Sequence, residues 1–133
     1  MEIEQIYQFF KNPSPAYLKP EVAVCYVLSV LLSRESYGSE LSQGLEIEHP
    51  QYLLSDTVLY DVLYFLESEN AITCYWKTRP GRGRPRRMFK LNPQWQQRAI
   101  ELARFWQNQS YLMGEQAILQ QLKVQIPAQF SPR

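Results

Sequence analysis

The sequence predicts a mainly helical α+β fold, with several helices, one small β-hairpin and a long last helix. Three observations predict it. Apolar residues recur at helical spacing in four separate stretches before residue 70. The run Ala71 to Arg79 is rich in β-branched and aromatic residues, and a Pro/Gly turn region separates it from a second short alternating run, Arg87 to Leu91. Asn92 followed by Pro93 then marks a helix start. The 133 residues fit one domain, large enough to bury a core without a metal or disulfide staple.

The elements follow in order. Ile3, Ile6, Tyr7 and Phe10 keep the i, i+3, i+4, i+7 spacing, so residues 2–11 form a short amphipathic helix. Pro13 and Pro15 make the next segment, to Lys19, a loop. Pro20 suits a first helical turn and Glu21 the positive end of the helix dipole, which opens a helix to about Arg34. Within it, Val22 to Leu32 is the most apolar run. Its eleven residues are too few to span a bilayer and suit a core helix. Arg34 to Gly38 is a turn, and Ser39 to about Glu46 is a second helix with Leu41 and Leu45 on one face. His49, Pro50 and Gln51 break it.

Ser55 is an N-cap with Asp56 in the first turn behind it, and this helix reaches about Glu69. Leu59, Val62, Leu63 and Leu66 mark its buried side, while Thr57, Tyr60, Asp61 and Tyr64 face the other way. After the strand Ala71 to Arg79, the residues Pro80, Gly81, Gly83 and Pro85 turn the chain, and Phe89 and Leu91 point inward on the returning strand. The last helix starts at Pro93, and if it continues to about Leu122 it extends on the order of 45 Å. The tail after Pro127 is loose.

The charge is distributed unevenly. Residues 1–69 hold three Lys/Arg against eleven Asp/Glu, whereas residues 70–90 hold seven Lys/Arg and no acid. Half of the fourteen basic residues therefore lie between Lys77 and Lys90, although the net charge is only +1. Such a concentrated stripe points to nucleic acid. Three packed helices followed by a basic hairpin is the winged helix-turn-helix arrangement, in which the third core helix enters the major groove. The expected partner is double-stranded promoter DNA. On the recognition helix the candidates are Ser55, Thr57, Tyr60, Asp61 and Tyr64. On the wing they are Lys77, Arg79, Arg82, Arg84, Arg86 and Arg87.

Arg82-Gly83-Arg84-Pro85 also matches the R-G-R-P core of the AT-hook. With no side chain between the two guanidinium groups, the backbone can approach the narrow A·T minor groove, whose negative potential favours inserted arginine. The alternative is that glycine and proline shape the turn and the arginines are solvated. Lys77, Arg79, Arg86 and Arg87 suit phosphates, which position without specifying.

Residues 1–19 are thus an N-terminal helix and loop, 20–91 a winged-helix DNA-binding domain, 92–126 a C-terminal dimerisation helix and 127–133 the tail. Phe105, Leu112 and Leu119 recur every seven residues, and Trp95, Ala99, Leu102, Trp106 and Met113 form a second apolar line. One small domain cannot cover both, so a homodimer is expected. Its interface would use Leu102, Phe105, Trp106, Leu112 and Leu119, with Ile3, Ile6 and Phe10 packed against the last helix. A helix-face monomer covered by the N-terminal helix is the alternative.

Enzyme chemistry is not expected. His49 is the sole histidine, beside Pro50, and has no second ligand at metal spacing and no nucleophile motif. Gly81 and Gly83 lie between strands rather than in a phosphate loop. No cofactor and no metal are expected. Cys25 and Cys74 fall in apolar runs and are expected as buried, reduced thiols. The acidic, amphipathic start carries no basic segment before an apolar block, which suggests the cytoplasm and no membrane.

Three segments resemble the PadR family of bacterial winged-helix regulators. Tyr37-Gly38-Ser39-Glu40-Leu41 is similar to its Y-G-x-E-L. Thr57-Val58-Leu59-Tyr60 with Leu63 and Leu66-Glu67 resembles its T-L-Y-x-x-L-x-x-L-E helix. Gly83-Arg84-Pro85-Arg86-Arg87 with Phe89-Lys90-Leu91 resembles its G-R-P-R-K-Y-Y-x-L wing. The resemblance spans about Pro20 to Leu91 and implies a dimeric DNA-binding regulator, with repression the usual outcome. It also implies that some members bind aromatic compounds at the dimer interface, where Trp95, Trp106 and Tyr111 would line a pocket; no effector is identified. Two departures stand out. No Lys or Arg occurs from Asp56 to Ala71, where the family helix carries basic residues, and the wing has an additional Gly-Arg step. The base-free helix and acidic first half keep a second function open, a winged-helix protein-docking module.

Overall fold

The computed structural model describes residues 1–11, 15–81 and 83–108. The expectations for Arg82, Tyr111, Leu112, Met113, Leu119 and the tail lie outside them. The elements are α1 (Ile3–Lys11), β1 (Ala16–Tyr17), α2 (Pro20–Leu31), β2 (Ser36–Tyr37), α3 (Gly38–Glu48), β3 (Tyr52–Leu53), α4 (Asp56–Ser68), β4 (Ile72–Lys77) and β5 (Arg86–Leu91). A single turn of 3-10 helix, Pro93–Trp95, leads into a helix over 96–108, termed α5.

Helices α2, α3 and α4 enclose one apolar core. Val27 and Leu28 of α2, Leu41 and Leu45 of α3, and Leu59, Val62, Leu63 and Leu66 of α4 are its buried residues, joined by Phe89 from β5. Fully burying each such side chain contributes roughly 1.5–3 kcal/mol. Tyr26 adds a polar tie, its hydroxyl donating to the Leu41 carbonyl at 2.6 Å. Burial, reinforced by the nearby charge of Glu48, holds that hydroxyl well above the ordinary tyrosine range, so it stays a donor.

The ends of α4 follow their local sequence. Ser55 Oγ accepts from the Val58 amide at 3.2 Å, a side-chain N-cap. At the other end Asn70 takes a left-handed φ of 59°. The Asn70 amide donates to the Glu67 carbonyl at 3.0 Å and the Ala71 amide to the Leu66 carbonyl at 2.9 Å, a Schellman closure. This sharp stop delivers the chain into β4.

Two expected connections are strands instead. The turn expected at 34–38 contains β2, which pairs antiparallel with β5 through Ser36↔Phe89 and Tyr37↔Met88, giving the sheet order β2-β5-β4. Part of the loop expected before Pro20 is β1, which runs parallel to β3 through Ala16↔Tyr52 and Tyr17↔Leu53. Two-residue strands carry no periodicity to read; their pairing depends on partners brought close by the fold.

Asn92 holds the expected N-cap position before Pro93, but its side chain makes no capping bond. Its amide nitrogen donates to the Asn70 carbonyl at 2.7 Å and its oxygen accepts from the Thr73 hydroxyl, so the side chain joins the ends of the hairpin rather than the following helix.

The last helix divides its residues between core and solvent. Ala99 and Ala103 are buried and Leu102 is partly buried against the core. Trp106, expected at a dimer interface, is 4% exposed and sits in the core of its own chain. Its ring lies 5.3 Å from Tyr26, 5.1 Å from His49 and 5.5 Å from Tyr52. His49 therefore supports an aromatic cluster. Neighbouring Phe105 is 64% exposed. Helix α1 buries no residue, and Ile3, Ile6 and Phe10 are exposed. Among the described residues no helix is long and apolar enough to cross a membrane.

Candidate nucleic-acid interface

The site is built where α4, the start of α3 and the hairpin meet. Leu59, Val62, Leu63 and Leu66 hold one side of α4 in the core, which turns Thr57, Tyr60, Asp61 and Tyr64 to solvent. Tyr64 is 76% exposed and Tyr60 is half exposed. Ser55 is half-buried, and its hydroxyl is committed to the cap.

The hairpin places its charges by register. Lys77 lies opposite Arg86 and Trp76 opposite Arg87 across the β4–β5 ladder. At the turn, Gly81 adopts φ 72°, a conformation that favours glycine. Arg79 Nε donates to the Arg84 carbonyl at 3.3 Å, spanning the base of the turn. Lys77 and Arg84 are exposed.

Arg86 lies over the Tyr37 ring, its guanidinium carbon 3.8 Å from the ring centre. Stacking uses the face of the guanidinium and leaves its N–H edge for an acceptor such as a phosphate. Arg87, expected to meet a phosphate, is engaged within the chain. Its Nη2 pairs with Glu67 Oε1 at 2.8 Å and its Nε donates to Cys74 Sγ at 2.8 Å. Cys74 is accordingly half-buried rather than buried, while Cys25 is buried and its thiol is pushed up by that burial; both are free thiols.

Tyr60 and Trp76, with Arg79, Arg86 and Arg87, line an open cleft of about 410 Å³ whose floor includes Phe89 and the α3 start at Tyr37, Gly38 and Ser39. Gly38 is closely approached: a Cβ there would lie 3.0 Å from the Tyr60 hydroxyl, which would have to give way slightly. The cleft thus joins a helix face bearing hydroxyl and aromatic groups to a cationic wall, a surface suited to a polyanion with flat bases. Sequence reading had identified Tyr60 and the arginines. It missed Trp76, 65% exposed on β4, although the alternation of that strand was a usable signal. It also missed Glu67, which only the folded contact with Arg87 reveals. Among the described residues no group of three or more His, Cys, Asp or Glu is placed to hold a metal.

The PadR-like family of transcriptional regulators matches residues 27–100. The circadian clock associated protein Pex from Anabaena is 61% identical, covering 86% of this chain and 99% of its own, with a TM-score of 0.76. Pex from Synechococcus sp. (strain PCC 7942) is 53% identical over 84% of this chain and 98% of its own, also at 0.76. A transcriptional regulator from Clostridium thermocellum shares the fold at 21% identity, with a TM-score of 0.57 over 71% of this chain and 92% of its own. No curated protein matches the chain.

Proposed function

Because the chain belongs to the PadR-like family of transcriptional regulators, we propose that it is a cytoplasmic homodimeric repressor that binds promoter duplexes through α4 and the wing. It is a transcription regulator and not an enzyme. The carrying observation is the cleft in which exposed Tyr60 faces Arg79 and Arg86. Two similar proteins carry the name of a clock protein, so a clock-gene promoter is the proposed target.

Dimerisation would place two recognition helices in successive major grooves. The exposed Ile3, Ile6, Phe10 and Phe105 support it, since an apolar surface of this kind is commonly covered by a partner. The residues proposed for the interface beyond α5 are Leu112 and Leu119. Trp106 leaves that set because its own chain covers it.

The experiment is a binding titration on duplex DNA over a salt series, together with sedimentation. If three or four phosphates are met per subunit, the slope of log K against log salt is on the order of −5 to −7. Sedimentation of the 15.7 kDa chain should give about twice that mass, and Phe105→Glu with Ile6→Glu should reduce it to one chain. Salt-independent or absent duplex binding favours the docking-module reading, to which the base-free face of α4 lends support.

A further inference from the structure

We infer that Arg87 is a positioning residue that ties the wing to the recognition helix, with Glu67 as its anchor, and does not contact DNA phosphates. The inference rests on the DNA-binding reading above. Among the described residues, Arg87 is the one wing cation in an ion pair. Its side chain touches three elements at once. Nη2 lies 2.8 Å from Glu67 Oε1 in the last turn of α4, and Nε lies 2.8 Å from Cys74 Sγ on β4. Its guanidinium carbon is 5.1 Å from the ring centre of the buried Phe89 on its own strand.

Two of the three guanidinium nitrogens are therefore engaged within the chain. A phosphate approaching the remaining edge would meet the Glu67 carboxylate beside it, and like charges at that range repel. The pair adds no net charge to the interface. Partly exposed ion pairs of this kind contribute little to stability. What this one does is orient: the Nε bond seats the guanidinium against Cys74 of β4, and the Nη2 bond to Glu67 ties the hairpin to the end of α4. Lys77, Arg79, Arg84 and Arg86 then remain to meet the backbone. Arg86 and Arg87, adjacent and identical in sequence, thus have different work: one lies over the Tyr37 ring outside any ion pair among the described residues, and the other is consumed as a strap.

The test uses the full chain and a duplex that the wild-type chain selects from a random-sequence pool. Anisotropy over a salt series and hydroxyl-radical footprinting are measured for Arg87→Ala, Glu67→Gln and the swap Glu67→Arg with Arg87→Glu. Glu67→Gln and Arg87→Ala should each weaken binding by about fivefold with an unchanged salt slope. Both should lose protection at the flanks under the wing while keeping it at the centre under α4, and the swap should restore the flanks. A phosphate contact makes the opposite prediction for Glu67→Gln, since removing an acid beside DNA strengthens binding. The inference is overturned if Glu67→Gln binds as well as or better than wild type. It is also overturned if Arg87→Ala flattens the slope by about one unit per subunit, or if centre and flanks fade together. Should Arg87→Ala fail to fold, the milder Glu67→Gln decides. A wild-type chain that enriches no duplex fails at the selection step, which marks failure of the DNA-binding reading itself.

Discussion

Helix α4 and the β4–β5 hairpin border the same cleft with opposite chemistry. The exposed side of α4 offers Thr57, Tyr60, Asp61 and Tyr64, with no Lys or Arg along the helix. The hairpin from Ile72 to Leu91 holds seven Lys/Arg and no acid. In the proposed binding mode, electrostatic attraction to a duplex, which is long-ranged and indifferent to sequence, would have its source in the hairpin. Short-range hydroxyl, aromatic and methyl contacts, which depend on the base presented, would have theirs in the helix. In the proposed mode, one interface would divide affinity and discrimination between two elements.

The largest expected effect removes the hairpin's half of this division. Replacing Lys77, Arg79, Arg84 and Arg86 together with Ala should weaken duplex binding by at least about a hundredfold at physiological salt and flatten the salt dependence by several units. Alanine at Thr57, Tyr60 and Tyr64 should leave that slope as it was; equal flattening from the helix variant would break the comparison. Next in size is Arg84→Ala. It should cost roughly 1–3 kcal/mol on sites with A·T-rich flanks and less on G·C-rich ones, read by anisotropy, because the lost interaction depends on groove shape. Equal losses on both flanks would remove the minor-groove role.

Tyr60→Ala alone should cost about 1 kcal/mol on the best duplex and little on random DNA. A competition assay between the two measures this, and an equal loss on both would assign Tyr60 to general attraction. The smallest effect sharpens the geometry. Gly38→Ala sets a Cβ against the Tyr60 hydroxyl and should destabilise by roughly 0.5 kcal/mol in urea melts. Adding Tyr60→Phe, which removes the crowded oxygen, should recover that loss; no recovery would place the strain elsewhere.

Much of this site was legible in the sequence because its causes are local. The α4 faces follow from helical spacing, and Ser55 caps where an N-cap residue precedes Asp56. The wing's charge is a matter of composition. The PadR-like resemblance of three short segments agrees with the family match over residues 27–100. What was not legible depends on distant partners. Glu67 and Cys74 acquire their roles only when Arg87 arrives from twenty and thirteen residues away. Asn92 looks like a cap beside Pro93, yet its side chain bridges Asn70 and Thr73.

The two apolar lines of the last helix show the boundary clearly. Spacing alone determined that this helix has more apolar surface than a polar exterior would leave uncovered. It could not assign Trp106 to the core and Phe105 to the surface, because neighbours on one helix differ only in which way they point. The packing of Tyr26, His49 and Tyr52 decides it, closing over Trp106 while Phe105 points away. Periodicity and composition thus determined the elements, their faces and the charge of the wing, since these need only residues close in sequence. The tertiary structure decided which arginine pairs with Glu67, which aromatic is buried and which strands pair. Those outcomes depend on contacts between residues that folding alone brings together.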